Sequence, residues 1–104
     1  MTNITPTTYG DGDGASYLNI AGAATTVVKG YPGKLVRIVN NKKVANGVIT
    51  IYDNASAASG TKIGTITNPA TLLESAQTFE YGCAFNNGLT IVTSAADDLT
   101  VVFK

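Results

Sequence analysis

Two carboxylate groupings, Asp11-Gly-Asp-Gly14 and Asp97-Asp98, and one cysteine, Cys83, are the residues whose type and spacing could support chemistry. A calcium loop of the helix–loop–helix kind places oxygen ligands at alternate positions and closes with a glutamate that binds through both oxygens. Here the third ligand position is Ala15 and no closing Glu follows. The segment therefore reads as a tight exposed turn, where alternating Asp and Gly are favoured. Acid–base work needs two carboxyls held across a cleft with their pKa values pushed apart. Asp97 and Asp98 are adjacent, so on a strand they face opposite sides and at a turn both are solvated. They predict a hairpin at residues 95–98. Glu74 and Glu80 have no evident partner.

Cys83 lies in the apolar-aromatic run Phe79-Glu-Tyr-Gly-Cys-Ala-Phe85 and reads as a small packed side chain. The chain contains no histidine, so neither a Cys-His pair nor a Ser-His-Asp triad can be built. The stretch from Gly10 to Gly14 has the glycines of a phosphate loop without a preceding strand or a following helix to make its amides converge. No catalytic, cofactor-binding or metal-ligating residue is assigned on these patterns, and no cofactor is expected. Tyr9, Tyr17 and Tyr31, near turns or the N-terminal segment, are candidates for a weak sugar- or protein-binding face. The commoner reading of a strand tyrosine is a ring on the sheet with its hydroxyl in water.

These residues must be carried by short strands. β-Branched runs recur between Gly, Asn and Pro punctuation, at residues 16–21, 24–29, 34–40, 48–53, 62–67, 77–81, 89–93 and 99–103. Eight such runs at close spacing predict an all-β domain, a single antiparallel β-sandwich or jelly-roll-like barrel. Alternation places Ile49 and Ile51 on one face and Val48, Thr50 and Tyr52 on the other. The expected core is Leu35 or Val36, with Ile38, Ile49, Ile51, Ile63, Ile66, Phe79, Leu89, Ile91, Leu99, Val101 and Phe103. Gly30-Tyr-Pro-Gly33 predicts a type II turn with positive φ at Gly33. A further turn is expected to start at Asn40-Asn41, with Lys42 and Lys43 at a solvated hairpin tip. Asn68 at an N-cap and Pro69 after it allow at most one helical turn, near residues 69–75. Residues 1–15 are expected to form a flexible arm and residues 16–104 the sandwich.

Composition bounds the function. The 104 residues suit one domain, and charged residues make up 13% against a usual value of roughly 25%. Formal net charge is zero and the seven basic residues are scattered, which argues against nucleic acid, whose phosphates demand a basic stripe. No apolar run approaches the roughly 20 residues of a membrane helix, so no membrane partner is expected. The first residues lack the basic and apolar regions of a secretory signal, which predicts synthesis and first folding in a cytoplasm. Low net charge also removes the repulsion that keeps copies apart.

The run from Val48 to Thr67, with Phe85-Asn-Asn-Gly-Leu-Thr-Ile-Val-Thr-Ser94 and Asp98-Leu-Thr-Val-Val-Phe103, resembles small virion proteins of tailed bacteriophages. The likeness covers about the C-terminal two-thirds and lies in a strand, small-residue loop, strand style. It implies a head-decoration or head-fibre protein: non-enzymatic, located on the capsid surface of the virion, and made in the host bacterial cytoplasm. Its implied partners are the major capsid protein and further copies of itself, with a trimer favoured. The alternative is a receptor- or glycan-binding module of a head or tail fibre. No binding residue is carried over by the resemblance.

Overall fold

β-Branched and aromatic residues in short runs cannot bury two faces alone, so they stack as paired sheets. The computed structural model describes residues 14–104 and contains eight strands. They are β1 (Ser16–Ala21), β2 (Ala24–Lys29), β3 (Gly33–Lys42), β4 (Val48–Asp53), β5 (Thr61–Thr67), β6 (Gln77–Phe85), β7 (Leu89–Thr93) and β8 (Asp98–Phe103). Two four-stranded sheets form, ordered β1-β8-β3-β6 and β2-β7-β4-β5, with every pairing antiparallel.

The pairs are nested: β4 with β5, β6 with β3, β7 with β2 and β8 with β1. A long hairpin rolled on itself gives this order, which is the jelly-roll form of the sandwich. Only β4–β5 joins neighbours within one sheet; the other six connections cross between sheets. The hairpins expected with a tip at Lys42-Lys43 and at residues 95–98 are instead arches, at residues 43–47 and 94–97.

Ile20, Leu35, Ile38, Ile49, Ile51, Ile66, Phe85, Leu89, Ile91, Leu99 and Val101 form the buried core. Ile63, Phe79 and Phe103, expected inside, are only partly buried against it, while Ile20 and Phe85 were not anticipated. Leu35 and Val36 are both fully buried. The pairing of β3 shifts between Leu35 and Arg37 against both neighbours, so Val36 sits in a bulge. Opposite it, β6 carries the extra residue of the pair 81–82, with Gly82 at φ 58°.

Other local expectations are corrected. Gly33 does not take positive φ. Its role is close approach: a Cβ there would run into the carbonyl of Lys104 and come within 2.9 Å of the Phe85 ring. Asn40 and Asn41 lie in β3, and the turn falls later, closed by the Gly47 N–H donating to Val44 O at 3.0 Å. Asn46 fills its third position at φ 63°, a conformation Asn tolerates better than most residues. Residues 68–76 contain no helical turn, within the expected limit of one, but the N-cap expected at Asn68 is absent. Asn68 is buried and its side chain is committed elsewhere, so no N-cap forms. The expected arm falls on residues 1–13, outside the described part, apart from Gly14 and Ala15.

Candidate functional site

The sandwich has two ends and two broad faces, and the polar side chains sort among them. At one end the connections at residues 22–23, 43–47, 68–76 and 94–97 converge on Asp97, which is fully buried. Its Oδ2 accepts from Asn40 Nδ2 at 2.8 Å, from Asn68 Nδ2 at 2.7 Å and, more weakly, from Val44 N–H at 3.4 Å. Asn68 Nδ2 also donates to Val44 O at 2.9 Å, and the Asp97 carbonyl accepts from Gly22 N–H at 3.3 Å. Asp97 Oδ1 and Asn40 Oδ1 are buried without a hydrogen-bond partner. A Cβ on Gly47 would lie 2.7 Å from Asp97 Oδ1, so the carboxylate is packed against that glycine. Asp97 is thus no solvated turn residue. Asp98 departs from the expectation less: it is half-buried and accepts from Asn19 Nδ2 at 2.7 Å.

At the other end, buried Asp53 closes the β6–β7 connection. Its Oδ2 accepts from Asn86 N–H at 2.9 Å, and its Oδ1 from Asn87 N–H at 2.8 Å and Gly88 N–H at 3.3 Å. These amides, Asn86 foremost, hold the carboxyl below its ordinary value against the opposing pull of burial. Asn54 organises the next loop, with its Oδ1 accepting from the N–H groups of Ser56 and Ala57. Tyr31 stands at this end, 65% exposed, with Lys29 Nζ 4.6 Å from its ring centroid. Tyr17, 76% exposed, lies near the same end on the outer face of β1. Tyr9 falls outside the described residues, as do Asp11 and Asp13.

The remaining candidates do not converge. Lys42 is exposed at the end of β3, and Lys43 N–H donates to Ser75 O at 2.9 Å. Glu80 pairs with Arg37 on the outer face at 2.9 Å, while Glu74 is exposed on the 68–76 connection. Cys83 is half-buried against the core. Tyr81, on the same face, leans toward Gly64 of β5 and bridges the two sheets along one side. Burial, then the charge of a Cys83 thiolate, pushes the Tyr81 hydroxyl above its ordinary value. Among the described residues no cavity opens and no three His, Cys, Asp or Glu side chains group to hold a metal ion. No helix among the described residues is long and apolar enough to cross a membrane.

Compared with protein-family models, curated proteins and solved structures, the chain matches none. What the geometry offers is surface. The outward residues of β2-β7-β4-β5 include Thr25, Val27, Thr50, Tyr52, Thr65 and Val92, with Lys62 the charged side chain among the strands' outward positions. The outer face of the other sheet carries Tyr17, Val102, Arg37 and Glu80 in one row and Asn19, Thr100, Val39 and Thr78 in the next. Sequence reasoning missed Asn40, Asn68, Asp53 and the burial of Asp97. The available signal was weak: an Asn or Asp ending each apolar run, as happens at any strand terminus.

Proposed function

We propose that this chain is a non-enzymatic structural protein of a bacteriophage virion that binds the outside of the capsid. It decorates or stabilises the shell by bridging subunits and by associating with itself. The observation that carries this reading is the threonine-rich and nearly uncharged outer face of β2-β7-β4-β5. Such a face can lie against a protein surface without desolvating charge. Viral capsid domains share the jelly-roll form, although fold alone does not decide function. The resemblance to virion proteins lies in the strand, small-residue loop, strand style of residues 48–67, 85–94 and 98–103. Co-sedimentation with empty capsids tests the proposal: the chain is expected to pellet saturably with particles, and Thr50→Lys on the face to lose binding. A chain that stays in the supernatant at every concentration overturns it.

A second reading, a glycan- or receptor-binding module, is favoured by Tyr17 and Tyr31 standing exposed toward one end. Exposed aromatic rings are the usual platform for sugar faces. Reproducible hits on a glycan array that vanish in Tyr31→Ala would promote it over the first.

A further inference from the structure

A sandwich leaves four edge strands, and each exposes a row of free backbone N–H and C=O groups that can template a foreign strand. Proteins blunt such edges with charges, prolines and bulges. Here β1 and β6 are the edges of one sheet, β2 and β5 those of the other. Three are guarded. β6 carries Glu80 and the bulge at Gly82. β5 carries Lys62, and its pairing with β4 skips Ile63. β2 carries Lys29, and its pairing with β7 skips Val28.

β1 has none of these devices. Its sequence Ser-Tyr-Leu-Asn-Ile-Ala holds no charge and no proline, and it pairs with β8 through six consecutive residues without a shift. We propose that the outer edge of β1, which pairs with no other strand among the described residues, pairs with β1 of a second copy, joining two four-stranded sheets into one. The occupant follows from the edge itself. A copy of this chain brings zero net charge and the one edge that neither repels nor kinks. Every other edge it could offer is guarded, so the contact is isologous and closes at two subunits.

Antiparallel pairing must keep inward residues opposite inward residues. Leu18 and Ile20 face the core, while Tyr17 and Asn19 face outward. A register centred on Leu18 meets that condition: Leu18 of one copy faces Leu18 of the other, and each Tyr17 stands over Asn19 across the seam. The half-buried Leu18 side chains then cover one another. The trimer implied by the virion resemblance needs a heterologous contact and is a different outcome.

The inference rests on the self-association included in the proposed function. It is measured on the purified chain alone, so failure to bind capsids leaves it standing. Sedimentation equilibrium across a concentration series is expected to show a reversible species of twice the 10.7 kDa chain mass. Tyr17→Lys, at an exposed side chain, should return a folded monomer that melts where the wild-type chain melts when diluted to the monomer. Tyr17→Phe and Val27→Lys should both keep the dimer. Independently of any variant, hydrogen exchange of the wild-type chain should show alternate β1 amides gaining protection as concentration rises. A monomer at all concentrations, a trimer, or a dimer indifferent to Tyr17→Lys overturns the proposal.

Discussion

Asp53 shows how one side chain can replace a missing stretch of ladder. The β6–β7 connection turns from one sheet to the other, so the N–H groups of Asn86, Asn87 and Gly88 lose strand partners, and the Asp53 carboxylate accepts all three. Charge-assisted bonds of this kind are about twice as strong as neutral ones. Because the folded carboxyl is held below its ordinary value, its contribution is complete above the unfolded value of about 3.9 and is lost as pH falls through the lower, folded value. Thermal melts of the wild-type chain are therefore expected to fall between about pH 5 and pH 2. Asp53→Asn keeps one acceptor and turns an amide N–H toward the donors. It should cost roughly 1–3 kcal/mol at pH 7 and flatten the acid dependence. A melt series equally steep in both chains would remove Asp53 from that role.

At the scale of elements, bulges decide which face a strand presents. Along β3, Leu35 and Ile38 both reach the core although they are three residues apart, because Val36 is inserted between the paired positions. Alternation alone could not choose between Leu35 and Val36, since a bulge breaks the period of two that the choice relies on. Where no bulge intervenes, as at Ile49 and Ile51 of β4, alternation read the core correctly. Across from Val36, Gly82 supplies the positive φ on β6 that an L side chain resists. Gly82 is exposed, and its positive φ is the strain that a side chain would meet there. Gly82→Ala is expected to destabilise by about 1–2 kcal/mol in urea denaturation, with the m-value unchanged. An unchanged midpoint would show that β6 re-registers without the bulge. Turn residues were similarly legible as breaks but silent about direction. Asn46-Gly47 and Ala95-Ala96 mark real reversals, yet each carries the chain across to the other sheet. The same Gly, Asn and Ala composition serves a hairpin or an arch, and only the long-range pairing separates them.

Over the whole molecule the nested pairing puts most contacts far apart in sequence: Ser16 lies beside Phe103 and Ala24 beside Thr93. No local signal announces such pairs, which is why eight strands could be read from the chain but their order could not. The same topology explains Asp97. Four connections meet at one end of the roll, and a buried end must satisfy its own polar groups. Asp97 ties Asn40 of β3, the Val44 arch, Asn68 after β5 and the Gly22 amide into one cluster. As a member of an adjacent acidic pair it looked like a solvated turn, because nothing near it in sequence reveals the three segments that fold over it. Removing the carboxylate strands the buried Asn40 donor and frees the half-buried Val44 N–H, while Asn68 keeps one acceptor in Val44 O. Buried donors left unpaired cost about 1–3 kcal/mol each, so Asp97→Ala should destabilise by roughly 2–4 kcal/mol. For a domain of this size that is a fall in Tm of roughly 10–20 °C, read by calorimetry. Asp97→Asn, which keeps an acceptor for the two asparagines, should lose less. Were Asp97→Ala as stable as the wild-type chain, the end would be held by packing around Gly47 and Ala95 instead, and the cluster would be incidental to the fold.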